Sequence, residues 1–203
     1  MIRRRSLGLG LGAAALPAPF LGNPAVAQGT RLRWAHGYEV EEPYHAEAQW
    51  AAGEIARRTG GRWNIQVFAA SALGNEPQIN QGLTLGSVDM IYTGVAFAAA
   101  SHRPISISHA PYMLRDYDHF QKYRASELHR ELVAGYDRQT GHHALALTYY
   151  GERHVTANRS ILQPGDMRGL KLRVPQAPSF LMFTRAVGAH ATPMPFAEVY
   201  QAL

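Results

Sequence analysis

From Thr30 onward, short apolar runs alternate with stretches in which apolar residues recur every three or four positions. That alternation is the mark of an α/β chain with a largely parallel sheet. Leu32 to Ala35 predict a first strand, and Pro43 to Thr59 a helix. In that helix Pro43 suits the first turn, Tyr44, Ala48, Ala51, Ala52 and Ile55 share a face, and Arg57 and Arg58 sit at the negative end. Gly60 and Gly61 stop it, and Trp63 to Phe68 form a second strand. The run Gly74-Asn75-Glu76-Pro77 opens a second helix with Ile79 and Leu83 on one face, and Val88 to Tyr92 form a third strand.

Beyond it, Ser101 to Tyr112 is a connection bearing Pro and His, and Asp116 caps a helix that turns Tyr117, Phe120, Leu128 and Leu132 toward a core. Gly141 closes that helical region, and the unbroken apolar run Ala144 to Tyr150 predicts a strand covered on both faces. Turn chemistry from Ile161 to Gly169 then leads into a strand over Leu170 to Val174, a helix over Ser179 to Ala186, a strand over Ala191 to Met194 and a helix from Ala197. The change of character places a domain crossing near Gly151 to Thr156, which divides the chain into 28–153 and 154–203.

The first 27 residues stand apart from this pattern. Arg3 to Arg5, the short Gly-loosened apolar stretch Leu7 to Leu16 and the small-x-small site Ala25-Val26-Ala27 make up the three parts of a cleavable export signal. The adjacent arginines leave the twin-arginine and general routes both open. The apolar stretch is shorter than the roughly 20 residues that span a bilayer, so direct membrane insertion is not expected. Gly8-x-Gly10-x-Gly12 follows no strand and lies in the leader, so it is not a dinucleotide loop.

Composition narrows the function classes. The 203 residues include no cysteine, which excludes disulfides, Cys-ligated zinc or iron–sulfur centres and a thiol nucleophile. Without the three leader arginines, Lys+Arg falls from 20 to 17 against 15 Asp+Glu, a net charge of about +2. No window holds the basic stripe that nucleic acid requires. The ten histidines show neither His-x-x-x-His nor His-Glu-x-x-His spacing, and neighbouring His142 and His143 point to opposite faces of an extended chain, so no metal site and no cofactor is expected. A Gly-x-Ser-x-Gly elbow and a phosphate-binding Gly-x-x-x-x-Gly-Lys-Ser/Thr loop are both missing.

The arginines point to an anion. Arg173 ends a strand, in Leu172-Arg173-Val174-Pro175, and Arg153 lies at the proposed crossing, in Gly151-Glu152-Arg153-His154-Val155. Ligands of open α/β sheets bind at the carboxyl ends of strands, and a guanidinium fork matches a carboxylate. Each arginine could equally be a surface residue or cap a helix carbonyl.

Two long motifs carry a resemblance. Asp166-Met167-Arg168-Gly169-Leu170-Lys171-Leu172-Arg173-Val174-Pro175, followed by Gly188-Ala189-His190-Ala191-Thr192-Pro193-Met194-Pro195-Phe196-Ala197-Glu198-Val199-Tyr200-Gln201-Ala202-Leu203, is similar to the second-lobe signature of the DctP-type solute-binding proteins of tripartite ATP-independent periplasmic (TRAP) transporters. Ser71-Ala72-Leu73-Gly74-Asn75-Glu76, Gly86-Ser87-Val88-Asp89-Met90 and Gly151-Glu152-Arg153 resemble the corresponding first-lobe pieces, so the likeness runs from about Leu32 to Leu203. It implies a two-lobe α/β architecture like that of periplasmic binding proteins, closing over a small carboxylate without chemistry on it and delivering it to the membrane subunits of the transporter. By the same likeness Arg173 corresponds to the principal carboxylate-binding residue, Arg153 to a secondary basic contact and Phe196 to an apolar wall. Tyr38, Glu76 and Thr93 are first-lobe candidates by their place in the pattern.

Two lobes of about 100–150 residues each need about 200–300 residues. With 176 residues after the leader, the expectation is a nearly complete first lobe, a truncated second lobe, marginal stability and weak ligand binding. Two other readings remain open: an exported α/β hydrolase or isomerase, and a nonfunctional truncated remnant.

Overall fold

The computed structural model describes residues 29–202, so the leader expected over residues 1–27 lies outside the described residues. A three-stranded parallel sheet in the order β2-β1-β3 is built from β1 (Thr30–His36), β2 (Trp63–Phe68) and β3 (Met90–Tyr92). Parallel neighbours cannot be joined by a tight turn. The helices α1 (Pro43–Arg58) and α2 (Glu76–Leu85) make the crossovers. From β1 the chain leaves to one side for β2 and then returns to the other side for β3. The carboxyl ends of β1 and β3 therefore flank a switch point, where open parallel sheets leave a crevice.

Local chemistry sets these boundaries. The side chain of Asn75 accepts the Gln78 backbone N–H at 3.1 Å and that of Gln78 accepts the Asn75 N–H at 2.9 Å, a reciprocal cap on α2. Gly86 ends the helix at φ 73°, a left-handed conformation open to glycine at little cost. Beneath α2, Ala35, Ile79 and Val88 form a buried core with Leu83 and Ile91 against it.

A second parallel pair, β4 (Lys171–Val174) and β5 (His190–Pro193), is bridged by α6 (Phe180–Ala186). Its core is shared with the first sheet's connections: Ala96 and Phe97 of α3 (Val95–Ala98) pack with Val174, Ala177 and Phe180. Leu172 and Val174 of β4 face this core, so the pleat turns the intervening Arg173 to the opposite face. The chain after β5 makes a 3-10 turn (Phe196–Glu198) and enters α7 (Val199–Ala202).

Three local expectations are corrected. The helix begun at Asp116 is two helices, α4 (Tyr117–Ala125) and α5 (Glu127–Thr140). Ser126 between them is extended, and its hydroxyl accepts the His129 N–H at 3.2 Å, so a serine expected inside one helix caps the next. Leu128 is exposed rather than in the core, and the buried residue of α5 is Tyr136.

The run Ala144 to Tyr150 is not a strand. A strand needs a ladder partner, and no segment among the described residues pairs with it. Its apolar character serves packing instead: Ala144 rests on the Ala98–Ile105–Tyr136 core and Tyr149 on Tyr117 and Phe120, while Leu145 is 73% exposed. The third strand is also shorter than expected, beginning at Met90.

Candidate functional site

Arg173, on the face of β4 turned away from the core, directs both Nε (3.1 Å) and Nη2 (2.7 Å) onto the carbonyl oxygen of Met194, just past β5. The strand register that pairs Arg173 with Thr192 and Val174 with Pro193 puts that carbonyl there. Two donors of the guanidinium are thereby used, and among the described residues no other hydrogen bond engages the group. Burial lowers its proton affinity; Glu76 opposes that change and Arg153 adds to it.

Arg153 follows the turn at Gly151 and lays its guanidinium over the Phe180 ring at 4.7 Å, a cation–π contact. The edge of His109 meets the same ring at 4.4 Å. Burial pushes the His109 imidazole down to about 4, with the Arg153 charge assisting. The Arg153 charge thus reaches Arg173, as the Glu76 carboxylate does, and among the described residues neither arginine forms an ion pair with a carboxylate. Two guanidinium groups, neither ion-paired and only partly offset by the Glu76 carboxylate, make a local positive centre suited to an anion.

The opposite wall comes from the ends of β1 and β3. Tyr38, two residues past β1, gathers the rings of Tyr44 (4.9 Å), Tyr92 (5.4 Å) and Tyr150 (5.7 Å), and Tyr44 stacks on Tyr150 at 5.1 Å. Burial, the neighbouring phenols and then Glu76 push the Tyr38 hydroxyl far up, so it stays a neutral donor. Under this wall His36 is fully buried; its Nδ1 accepts the Tyr38 N–H and its Nε2 lies 3.2 Å from Nδ1 of His45. Burial and His45 lower the His36 imidazole.

Glu76 is the first residue of α2, and its carboxylate rests against Gly37, where an added Cβ would meet Oε1 at 3.4 Å. Thr93, just past β3, accepts from the Asn80 side-chain amide at 3.0 Å, and the same amide bonds the Glu76 carbonyl at 2.7 Å. Asn80 therefore ties the two together. Phe196 stands in the 3-10 turn after β5, 41% exposed, and no ring contact joins it to the tyrosines.

Of the six residues singled out from sequence, Glu76 acts on both Arg173 and Tyr38, and Arg153 acts on Arg173. Thr93 adjoins the tyrosine wall through Asn80, and Phe196 stays outside it. Tyr44, Tyr92, Tyr150, Asn80 and Phe180 were missed. No spacing links residues that lie in different elements as far apart as 38 and 150, so only the assembled sheet could have identified them. A cavity of about 390 Å³ lies away from these residues, beside Arg103 and Met182, and one of about 340 Å³ between Pro77 and Gln176 has Asn80 in its lining.

Residues 34–203 match the family described as bacterial extracellular solute-binding protein, family 7, or DctP. The chain belongs to that family. Among DctP relatives, a solute-binding protein of Roseobacter denitrificans is 30% identical over 194 residues, covering 96% of this chain and 59% of its own. The 2,3-diketo-L-gulonate-binding periplasmic protein of Escherichia coli is 30% identical over 205 residues, covering 100% of this chain and 61% of its own. The crystal structure of a TRAP periplasmic solute-binding protein from Roseobacter denitrificans, with bound L-galactonate, superposes with a TM-score of 0.81 at 28% identity, over 86% of this chain and 58% of that one.

The chain shares the two-lobe periplasmic-binding fold of these DctP proteins and spans about three-fifths of their length. The family consists of binding proteins and is extracellular or periplasmic by description. No helix among the described residues is long and apolar enough to cross a membrane.

Proposed function

We propose that this protein is an extracytoplasmic receptor that captures a small organic carboxylate between two lobes, 28–153 and the lobe begun by 154–203, and delivers it unchanged to the membrane subunits of a TRAP transporter. The observation that carries this reading is the pair Arg153 and Arg173, two guanidinium groups brought together without a protein carboxylate bound to either. Inside a crevice such a pair attracts an anion, and the held fork of Arg173 gives a carboxylate two parallel N–H contacts. Arg173 is the principal contact and Arg153 the secondary one. Tyr38, Glu76 and Thr93 form the facing wall, and Phe196 closes the apolar side when the lobes come together.

The Roseobacter protein holds L-galactonate and the Escherichia coli relative is named for 2,3-diketo-L-gulonate, both carboxylates. The export segment Arg3 to Ala27 accounts for delivery outside the cytoplasm, by the twin-arginine route where the paired arginines are recognised. The receptor does not turn its ligand over.

The test is thermal unfolding and calorimetric titration with L-galactonate and with succinate, followed by recovery of the ligand for NMR. A receptor is stabilised in proportion to the logarithm of ligand concentration and returns the ligand intact. Altered ligand, or no carboxylate raising the melting temperature, overturns this reading.

A further inference from the structure

His36 is fully buried at the end of β1, and its hydrogen bonds fix where every nearby proton sits. A backbone N–H can only donate, so the Tyr38 N–H, 3.2 Å from Nδ1 of His36, makes that nitrogen an acceptor. Neutral His36 then carries its proton on Nε2 and donates it to Nδ1 of His45, 3.2 Å away in the first turn of α1. That leaves the His45 proton on Nε2, where the Gln49 side-chain amide lies at 3.4 Å. The two rings form a one-way relay ending on the backbone of Tyr38, whose carbonyl oxygen accepts the Ala70 N–H at 2.8 Å.

The relay has no place for another proton. A charged His36 donates from both nitrogens and sets its Nδ1–H against the Tyr38 N–H. A charged His45 donates from Nδ1, so the His36 proton must move to Nδ1 with the same result, or two N–H groups face each other between the rings. The positive end of the helix dipole at the start of α1 also disfavours a cation at His45. Burial, and then His45, hold the His36 imidazole below its ordinary value of 6.5.

We propose that the His36–His45 pair positions Tyr38 for ligand capture: neutral, it holds Tyr38 at the centre of the tyrosine wall, and one proton taken up from solvent releases Tyr38 and weakens carboxylate binding. This rests on the carboxylate-receptor reading and adds a control on the same site. The wall is also faced by Tyr44 and Glu42 from the start of α1, Glu47 within it, Tyr92 at the end of β3, Tyr150 and, from α2, Glu76. A phenol carries no charge below pH 7. The carboxylates, and His109 beside Arg153, are therefore the groups whose titration must be told apart from that of the pair.

Two measurements do so. In protein labelled with nitrogen-15 histidine, NMR at pH 7.5 is expected to show both His36 and His45 protonated on Nε2, and the Tyr38 amide signal is expected to move as the pair titrates. Calorimetric titration with L-galactonate and with D-erythronate, both ionised above pH 5, is expected to show full affinity at pH 7.5 and a fall of up to about tenfold per pH unit as the pair takes up its proton. His36→Asn puts a carbonyl oxygen that does not titrate where Nδ1 accepts the Tyr38 N–H, and is expected to flatten that fall. A merely structural role would lower affinity equally at every pH. An equally steep fall in folded His36→Asn assigns the effect to Glu76, His109 or another group and overturns the proposal. A His36 protonated on Nδ1 at pH 7.5, or a Tyr38 amide that stays fixed while the pair titrates, overturns it even if His36→Asn fails to fold. Affinity unchanged down to pH 5 while the pair titrates overturns it and leaves the carboxylate reading standing. If no carboxylate binds at pH 7.5, that reading and this control on it fail together.

Discussion

The guanidinium of Arg173 is clamped on the carbonyl oxygen of Met194, with Nε at 3.1 Å and Nη2 at 2.7 Å, across the two parallel strands β4 and β5. A long side chain that carries roughly 2 kcal/mol of rotamer entropy is therefore already ordered before any ligand arrives. Its remaining N–H groups keep a fixed direction.

Arg173→Ala should cost about 2–4 kcal/mol of carboxylate binding, because the ligand loses a charge-assisted partner in a partly buried place. Arg173→Lys should recover only part of this, since one ammonium cannot hold the Met194 carbonyl and present a planar fork together. Calorimetric titration of both variants checks the order wild type, Lys, Ala; a lysine variant as tight as the wild type would contradict it.

Asn80 joins the Glu76 carbonyl to the Thr93 hydroxyl, linking α2 to the chain that leaves β3. Asn80→Ala should lower unfolding free energy by about 1 kcal/mol and Thr93→Val by less, because valine leaves the bond to Glu76 in place. Urea denaturation measures both. Equal losses would mean that the Thr93 bond carries the effect.

Asp89 accepts the backbone N–H of Arg33 at 2.8 Å and its Nε at 3.0 Å, fastening the entry of β3 to β1. These bonds from Arg33 hold the Asp89 carboxyl below the usual range. Asp89→Ala should destabilise by about 1 kcal/mol, with a loss that only partly depends on salt because the shortest of the three bonds from Arg33 comes from an uncharged amide. A loss that disappears in 0.5 M salt would instead assign the effect to the ion pair.

His36 and His109 are both held neutral by burial, His109 down to about 4. The unfolded chain binds protons at these rings near pH 6.5, so their contribution to stability is full above that value and falls below it, for His109 as the pH drops toward 4. For His109 the loss amounts to at most about 3 kcal/mol, and the charged ring would also be repelled by Arg153, which contacts the same Phe180 ring. His109→Asn should flatten the fall of melting temperature between pH 6.5 and 4.5. An equally steep profile would assign the acid sensitivity to other groups.

Much of the architecture was legible from local pattern. The strand Trp63–Phe68, the Pro43 start and basic end of α1 and the Asn75 cap depend on neighbours within four residues, and these appear where periodicity and capping chemistry put them. Arg173 was legible as a strand-end arginine within a long motif. The apolar run Ala144 to Tyr150 was misread because apolar composition fixes neither burial nor a ladder partner: none of its residues is buried, and no described segment pairs with it. The helix opened by Asp116 was read as continuous through Leu132 because a serine within a helical pattern and a serine that caps the next helix look alike until its hydroxyl finds the His129 amide.

By itself the sequence determined the strands and helices of the first sheet and of the β4–β5 pair, the family and the two arginines, because these follow from the local period of side chains and from contiguous motifs. Only the tertiary structure decided that Tyr38, Tyr44, Tyr92 and Tyr150 share one wall and that Met194 orients Arg173. These contacts join residues from 6 to 112 positions apart on different elements. They exist once parallel pairing has brought the strand ends together, and nothing in the nearest few residues encodes them.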